Sequence, residues 1–327
     1  MKIFKTILLN LFAVILFIVG VATGYAAYNL SSMTTSISKD YADLGIDKNT
    51  LAELDALKIK NNFNKDEIIN IALFGIDSRS TSNSSNSRSD SIMIVTIDKK
   101  HNKIKLSSIL RDTYASISGR GSDKINHAYA FGGPELAIKT LNQNFGLDIQ
   151  DFVTVDFFGL EKIIDAIGGV EVPVKQNEIN ELNKYIREVA RIENKTPTLI
   201  TSAGTQKLNG MQAVSYGRIR KVGNGDYERT DRQRTIIISM IDSLKKAGLS
   251  GSLKLASQCS AFVKTSFTMA EGVKLGTDIL QDMSNFTIEQ DRFPKNGEGK
   301  LINGVWYMVA DLNTEKSLLH KFIYENN

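Results

Sequence analysis

Three apolar segments of strand length, close together in the chain, constrain the fold more than any other feature. They read IINIALFGI at 68–76, SIMIVTID at 91–98 and KIKLSSIL at 103–110. Their β-branched and apolar composition favours strands. The turn KKHN between the second and third segments is too short for a crossover, which predicts antiparallel pairing. The three segments therefore predict an up-down-up meander at the centre of a sheet.

The rest of the chain alternates irregularly between helical and strand patterns. Further strands are predicted for DFVTVDF, VEVPV, AVSYGRIRK and VWYMVAD. Helices are predicted for PELAIKTLNQNFG and LEKIIDAIGG, for RTDRQRTIIISMIDSLKKAG with a stop at its glycine, and twice within 251–282. Residues 176–205 are typical of a partly helical insertion. The pattern predicts an α/β fold in a single domain, 67–327, with one mixed, largely antiparallel central sheet flanked by helices.

The N-terminal segment predicts a membrane anchor. Residues 7–28 carry no charge and are long enough, at roughly 30 Å of helix, to cross a bilayer core. Lys2 and Lys5 precede this run, which predicts a cytoplasmic tail at 1–6 and an extracellular stem at 29–66. The expected location is a single-pass type II protein of a Gram-positive-type cell membrane. A cleaved signal peptide ending near Gly24 and Ala26 is the alternative.

Composition excludes several classes of function. A formal net charge of +4 is too small for wholesale nucleic-acid binding. One cysteine and three scattered histidines exclude an intrachain disulfide and a Cys-based zinc cluster, and Cys259 is expected to be a small buried residue. Walker-type, GxSxG, HExxH and GxGxxG motifs do not occur in the sequence.

The meander brings charged residues to one end of the sheet. They follow the first strand, precede the second and follow the third in pairs: Asp77 and Arg79, Arg88 and Asp90, Arg111 and Asp112. Loop ends are commonly charged and solvated, so each residue alone carries little weight. Six that converge predict a binding site.

A second polar cluster is predicted from periodicity. Alternation in AVSYGRIRK puts Val214, Tyr216, Arg218 and Arg220 on one strand face. Helical spacing puts a second set on one inward stripe, namely Arg229, Arg232, Gln233, Ile236, Ile237, Met240 and Leu244, with Asp231 and Arg234 opposite. Burying unpaired guanidiniums costs several kcal/mol each, so either a bound anion or a set of carboxylates is expected beside them.

The choice of arginine over lysine favours a phosphate-bearing ligand. The chain has 12 Arg and 28 Lys, yet positions 79–88 and 218–234 together hold seven Arg and one Lys. The guanidinium fork matches phosphate oxygens in pairs. Two nearby carboxylates, Asp77 and Asp90, suggest Mg²⁺ bound with a diphosphate. The alternative is that these aspartates pair with Arg79 and Arg88.

Seven ordered strings resemble the LytR-CpsA-Psr family. They are LFGIDSR, RSDSIMIVTID, LSSILRDTY, KINHAYAFGGPELAIKT, VTVDFFGLEKIIDAIGGVEVPV, LNGMQAVSYGRIRK and GDYERTDRQR. The resemblance implies an extracytoplasmic, Mg²⁺-assisted phosphotransferase that moves an anionic glycopolymer, such as teichoic acid or capsule, from a polyprenyl diphosphate carrier to peptidoglycan. Leu110, where the family often has proline, and the serine-rich stretch after Asp77 depart from the pattern.

The resemblance also implies roles for individual residues. Asp77 and Asp90 correspond to the metal ligands, and Asp226 to the general base, with Arg111 and Arg229 also catalytic. The implied diphosphate binders are Arg79, Arg88, Arg111, Arg218, Arg220, Arg229, Arg232 and Gln233. The polyprenyl tail would need an apolar tunnel, for which FFGLEKIIDAIGG and the 229–244 helix are candidates, although most of these residues would pack the core. The other class of function is a non-catalytic surface protein that binds anionic lipid or polymer, for which Asp226 would not be required.

Overall fold

The chain forms two compact units. The computed structural model describes residues 34–64, 66–76, 87–268, 271, 275 and 286–326. The sheet unit comprises Thr34–Thr154, Lys264–Phe267 and Asn285–Asn327, and the helical unit comprises Val155–Val263 and Thr268–Ser284. Two units in one chain of this length agree with the tendency of chains beyond about 250 residues to divide their core, and the assignment of 67–327 to one catalytic domain stays a prediction.

The strands, numbered in chain order over the described residues, are β1 Ile68–Ile76, β2 Ser89–Asp98, β3 Lys103–Ile109, β4 Tyr114–Ile117, β5 Gly121–Lys124, β6 Asp151–Asp156, β7 Val170–Val174, β8 Gly204–Leu208, β9 Val263–Thr265, β10 Thr287–Phe293, β11 Glu298–Ile302 and β12 Val305–Val309. The helices, numbered in the same way, are α1 Lys48–Lys60, α2 His127–Phe145, α3 Phe157–Ala166, α4 Ile179–Ile192, α5 Gly210–Gly217, α6 Asp226–Cys259 and α7 Leu312–Tyr324. Short 3₁₀ turns lie at Gln176–Glu178 and Ser260–Phe262.

The main sheet has the strand order β10-β3-β2-β1-β6-β9. The predicted meander is confirmed, because β1 pairs with β2 and β2 with β3, both antiparallel. β10 pairs with β3 in parallel, from Thr287 opposite Lys103 to Phe293 opposite Ile109. The sheet is thus mixed rather than largely antiparallel, since β10 comes from the far end of the chain and no short turn dictates its direction.

Part of the predicted stem belongs to the core of the sheet unit. Leu44, Leu54 and Phe63 are buried and pack in the same cluster as Phe74 of β1 and Ile138 of α2. The predicted boundary at residue 67 is therefore wrong. The polar composition of this segment hid its few apolar anchors, which are enough to fix α1 against the unit.

The segment AVSYGRIRK is wrong as a strand, because its first half lies in α5. The Asn209 side chain accepts from the Gln212 backbone and the Gln212 side chain accepts from the Asn209 backbone, which forms a capping box. Every residue of α5 is buried. A short segment that is buried on all sides shows no amphipathic period, so helix and strand look alike in its sequence.

α6 is longer than predicted and passes through Gly248 without stopping. The N-terminal part of the predicted 251–282 helices is thus the continuation of α6 to Cys259. Cys259 is a free, buried thiol as expected, and burial raises its pKa to about 12.

Among the described residues, no helix has the length and apolar character that crossing a bilayer requires. The predicted tail and anchor at 1–6 and 7–28 lie outside the described residues.

Candidate functional site

Asp90 occupies a β-bulge at the start of β2. Gly75 pairs with Ser91 whereas Ile76 pairs with Ser89, which leaves Asp90 as the extra residue between them. A Cβ atom on Gly75 would lie 2.9 Å from the Ser91 Cβ, so glycine permits the close approach of the two strands here. Bulges redirect side chains and are frequent beside active sites. The bulge therefore gives Asp90 an orientation that regular pairing would not.

The charged residues that end β3 converge on Asp90, as the meander predicted. Arg111 Nη1 donates to Asp90 Oδ1 at 2.6 Å, and Arg111 Nε lies 3.4 Å from Asp112 Oδ2. Lys124 Nζ donates to Asp112 Oδ1 at 2.7 Å. Among the ion pairs of the described residues, Asp90 pairs with Arg111. Asp90, Arg111, Asp112 and Lys124 are named the acidic-end cluster.

The structure says less about the other three residues that were predicted at this end of the sheet. Asp77 and Arg79 lie outside the described residues. Arg88 is exposed just before β2. Within the described part of the chain, no group of three or more His, Cys, Asp or Glu side chains is placed to hold a metal ion. Asp90 nevertheless suits Mg²⁺, because its carboxylate is 22% exposed and Mg²⁺ needs only one or two carboxylates beside water and phosphate oxygens.

Arg218 and Arg220 follow α5 in the helical unit. Arg218 caps the end of α5 and donates through Nη2 to Glu188 Oε1 at 2.8 Å. Its guanidinium lies 4.9 Å from the Tyr185 ring centroid and 5.7 Å from that of Phe157. Stacking of this kind holds an arginine plane in a defined orientation. Arg220 is 46% exposed, so its donors are accessible to a ligand.

Asp226 begins α6 and is shared by two arginines. Arg220 Nε donates to Asp226 Oδ1 at 2.7 Å, and Arg229 Nη2 donates to Asp226 Oδ2 at 3.3 Å. The carboxylate also lies at the positive end of the helix dipole. Both oxygens of the predicted base therefore accept from guanidiniums that are themselves predicted to bind diphosphate.

Arg232 is almost wholly buried and holds the neighbouring loop. It donates to Glu178 Oε1 at 2.8 Å and to Glu228 Oε2 at 2.9 Å. It also donates to the carbonyls of Ile219 at 3.0 Å and Val222 at 3.2 Å. The two bonds to the Ile219 and Val222 carbonyls fasten the segment that carries Arg218 and Arg220 to the first turns of α6.

The predicted inward stripe of α6 is largely confirmed. Arg229, Arg232, Ile236 and Met240 are buried. Gln233 and Ile237 are half-buried. The expectation that Arg234 is solvated is wrong, since Arg234 is also buried and pairs with Asp231, whose side chain is 50% exposed. A side chain as long as arginine can fold back along its helix, which periodicity does not capture.

Carboxylates neutralise the guanidiniums, as one of the two predicted alternatives required. Each arginine of this second cluster has an acidic partner: Glu188 for Arg218, Asp226 for Arg220 and Arg229, Glu178 and Glu228 for Arg232, and Asp231 for Arg234. Arg218, Arg220, Asp226, Arg229 and Arg232 are named the arginine cluster.

Sequence reasoning missed the partners that come from 176–205. Glu178 lies in a 3₁₀ turn and is 1% exposed, and Tyr185 and Glu188 lie on α4. α4 is strongly amphipathic, with Leu182 and Ile186 buried on its inner side. That pattern was the available signal that the segment packs against the arginine cluster rather than forming a detached insertion.

Comparisons with known proteins agree over most of the chain. The model of the LytR_cpsA_psr family matches residues 27–322. The polyisoprenyl-teichoic acid–peptidoglycan teichoic acid transferase TagU of Bacillus anthracis is 30% identical over 302 residues, which are 91% of this chain and 90% of that protein.

Solved structures show the same fold. TagT bound to LI-WTA superposes with a TM-score of 0.62 at 25% identity, covering 79% of this chain and 91% of that one. The protein gbs0355 of Streptococcus agalactiae gives a TM-score of 0.67 at 25% identity, covering 83% of this chain and 91% of that one. The α/β fold with a mixed central sheet is therefore shared with these structures.

Proposed function

The chain belongs to the LytR_cpsA_psr family, and from this premise we propose that it transfers an anionic cell-wall glycopolymer from a polyprenyl diphosphate carrier to a peptidoglycan hydroxyl. Relatives such as TagU are teichoic acid transferases whose name gives a polyisoprenyl-linked donor and a peptidoglycan acceptor. The observation that carries the proposal is the arginine cluster, with Arg220 and Arg229 on either side of Asp226.

The arginine cluster supplies the donors that a diphosphate needs. Arg218 and Arg220 are 16% and 46% exposed, so both guanidiniums are open to a ligand from one side. Their bonds to Glu188 and Asp226 occupy the positions that phosphate oxygens would take. A diphosphate carries more charge than either carboxylate and accepts fork-on-fork hydrogen bonds, so it competes for both arginines. Gln233, half-buried on the same stripe, and Arg229 complete the proposed set.

Arg232 has a different part in this proposal. Its four hydrogen bonds are made within the protein, and its side chain is 3% exposed. The predicted direct contact between Arg232 and the diphosphate stays a prediction. The bonds to the Ile219 and Val222 carbonyls support a positioning role, because they fix the segment that presents Arg218 and Arg220.

Asp226 is the proposed general base. In the transfer, the sugar hydroxyl oxygen forms a bond to the phosphorus next to the glycan, and the bond from that phosphorus to the polyprenyl phosphate breaks. The hydroxyl proton passes to Asp226, and the electron pair of the broken bond leaves with the polyprenyl monophosphate. When the diphosphate takes the donors of Arg220 and Arg229, the oxygens of Asp226 become available to accept that proton.

A divalent cation is assigned to Asp90, together with Asp77. Mg²⁺ bound there would neutralise charge on phosphoryl oxygens, and Arg111, 2.6 Å from Asp90, would hold the carboxylate in place. The roles of Arg79, Arg88 and Arg111 as diphosphate binders stay predictions. The relatives act on cell-envelope polymers, so we place the catalytic part outside a membrane to which residues 7–28 anchor it.

The apolar tunnel for the polyprenyl tail also stays a proposal. Ile163, Ile164, Ile236 and Met240 are buried, as residues that pack a core would be. Phe158 and Leu160 of α3 are only half-buried and are the better candidates to touch lipid.

The test is a transfer assay with the full-length protein, a polyprenyl-diphosphate-linked glycan, Mg²⁺ and peptidoglycan acceptor. We expect Asp226→Asn to lower the transfer rate at least 100-fold while the affinity for the donor falls less than tenfold, since a base acts on the rate. Asp90→Asn should raise the Mg²⁺ concentration needed for half-maximal rate. Lys221→Met, a neighbouring change outside the cluster, is the matched control.

Unchanged transfer in Asp226→Asn would contradict the assigned base. A wild-type protein that binds the donor with micromolar or better affinity but transfers nothing to any acceptor would favour the non-catalytic binder of anionic lipid or polymer.

A further inference from the structure

The hairpin of β11 and β12 exposes apolar side chains that the proposed chemistry does not use. Leu301, Val305 and Trp306 are 73%, 44% and 43% exposed. Trp306 is the only tryptophan of the chain. Single exposed apolar residues are ordinary, but a tryptophan next to two others on one short hairpin is a candidate binding surface.

The indole ring of Trp306 is held in place from one side. A Cβ atom on Gly299 of β11 would lie 2.8 Å from Trp306 Nε1 and 3.0 Å from Cζ2. The ring therefore rests against the bare backbone of Gly299, a contact that a larger residue would prevent. An aromatic ring fixed in this way offers a rigid surface to a ligand at little cost in conformational entropy.

Polar groups lie beside the rings of Trp306 and of its neighbour Tyr307. Lys124 Nζ lies 6.0 Å from the Trp306 ring and 5.7 Å from the Tyr307 ring. The Tyr307 ring contacts that of Tyr114 edge-on at 5.0 Å, and its hydroxyl donates to Asp123 Oδ1 at 3.2 Å. Tyr114, Asp123, Lys124, Trp306 and Tyr307 are named the aromatic platform.

Direct ion pairs join the aromatic platform to the acidic-end cluster of the same unit. Lys124 Nζ, which belongs to both, lies 2.7 Å from Asp112 Oδ1, and Asp112 Oδ2 lies 3.4 Å from Arg111 Nε. Arg111 in turn lies 2.6 Å from Asp90, the proposed cation ligand. The backbone of β12 is also tied to this corner, because Met308 N donates to the Asp112 carbonyl at 2.9 Å.

We propose that the aromatic platform binds a sugar ring of the peptidoglycan acceptor, with the indole of Trp306 against the apolar face of the ring and Asp123 and Lys124 bonded to its hydroxyl or amide groups. A hexosamine has one face of C–H groups and a rim of polar groups, which suits a flat aromatic with a few convergent polar partners. This inference rests on the proposed function, since it supplies the acceptor side of that transfer.

The charges of the platform favour an uncharged sugar over the anionic donor polymer. Asp112 pairs with Lys124, and Asp123 Oδ2 lies 2.8 Å from His127 Nδ1, so Lys124 and His127 each have a carboxylate beside them. A phosphate-rich polymer would meet a carboxylate here, which disfavours it. Three exposed apolar side chains are also few beside the 20–30 residues per side of a standard protein interface, which argues against a second copy as occupant.

The single tryptophan makes binding directly measurable in the full-length protein. We would titrate a tetrasaccharide of N-acetylglucosamine, whose rings carry no charge, without any donor, and follow Trp306 fluorescence. Calorimetry would then compare variants. We expect saturable binding by the wild type, a loss of at least tenfold in affinity for Trp306→Ala, and a loss of less than threefold for Trp306→Phe, which keeps a ring.

Two further variants separate the site from a generally sticky surface. Gly299→Ala keeps the tryptophan but displaces its ring, and should weaken binding at least fivefold. Ile59→Ser removes an apolar side chain that is 74% exposed on α1, outside the hairpin, and should leave binding unchanged. Circular dichroism checks that each variant is folded.

The proposal is overturned if the wild type does not bind the tetrasaccharide, if Trp306→Ala binds as well as the wild type, or if Ile59→Ser loses as much affinity as Trp306→Ala. A concentration-dependent dimer that Trp306→Ala abolishes, without glycan binding, would assign the surface to a second copy and also overturn it. Because no donor is present, binding can persist when the transfer assay fails, and the two proposals fail separately.

Discussion

Arg232 and Glu178 form a buried ion pair, with Nε 2.8 Å from Oε1 and side chains only 3% and 1% exposed. The pair joins the first turns of α6 to the 3₁₀ turn before α4. Burying two charges is costly, and the bonds of Arg232 to Glu228 and to two carbonyls offset that cost. The main role of the pair is therefore to fix the position of Arg232, whose bonds to the two carbonyls hold the segment 218–222 in place.

Breaking this pair should destabilise the helical unit. Glu178→Gln leaves a buried guanidinium short of one charged partner, and we expect unfolding to become easier by roughly 3 kcal/mol. Urea denaturation followed by circular dichroism measures the change. Asp231→Asn, at the half-exposed partner of Arg234, is the control and should cost less than about 1 kcal/mol. Equal losses in the two variants would contradict the importance assigned to burial.

Diphosphate binding should depend on the guanidinium shape of the arginines after α5 and not only on their positive charge. Arg220→Lys should weaken binding of a polyprenyl diphosphate about tenfold, because lysine cannot bond two phosphate oxygens in one plane. Equilibrium binding with a fluorescent polyprenyl diphosphate measures this without turnover.

The matching control removes the positive charge of a neighbouring lysine and leaves every arginine in place. Lys221→Met, at an exposed neighbour, should change that affinity less than twofold. If Lys221→Met has the greater effect, net charge rather than geometry governs binding.

Gly210 should tolerate no side chain. A Cβ atom there would lie 2.1 Å from the Glu161 carbonyl oxygen, where α5 begins against α3. The Gly210 N–H also donates to Asp165 Oδ1 at 2.7 Å. We expect Gly210→Ala to lower the stability of the helical unit by about 3 kcal/mol or to prevent its folding. Ser202→Ala, at an exposed position before β8, should have no measurable effect in the same denaturation experiment.

Acidification should destabilise the sheet unit through His320. Burial is the main cause that lowers the pKa of this imidazole below its usual 6.5, although the carbonyls of Phe145 and Gly146, 2.8 and 2.9 Å from Nε2, oppose the change. The unfolded chain then binds a proton more readily than the folded one. His320 therefore supports the fold fully above about pH 6.5 and loses that contribution as the pH falls.

Denaturation midpoints at pH 7.5 and 5.5 test this dependence. The wild type should lose stability at the lower pH, and His320→Asn, although less stable at pH 7.5, should lose less between the two. An identical pH dependence in both proteins would show that other groups cause it.

The sequence predicted best where local pattern and tertiary structure agree. The segments of β1, β2 and β3 are apolar and of strand length. The four-residue turn between β2 and β3 allows only antiparallel pairing. These two features together predicted that Asp90, Arg111 and Asp112 lie at the same end of the sheet. The sequence could not predict the bulge at Asp90, because one extra residue leaves no trace in composition.

The errors have a common cause in packing that comes from distant parts of the chain. α5 is buried on all sides because α3, α4 and α6 enclose it, so its sequence shows no helical period. Gly248 does not end α6, because glycine ends a helix only where its backbone adopts the left-handed conformation, and here it stays helical. Glu178 and Glu188 were missed because acidic residues are usually solvated, and only the folded chain brings them to Arg232 and Arg218.

The ion pairs of the arginine cluster and of Arg234 affect the rate at which an anionic ligand associates. Five arginines, at 218, 220, 229, 232 and 234, face five carboxylates, at 178, 188, 226, 228 and 231, so the set is close to neutral before a ligand binds. A neutral set projects little field into solvent and cannot steer a polyanion over long distances. Encounter with the donor would then depend weakly on ionic strength, and selection would occur only at contact, where an incoming oxygen must displace one already in place.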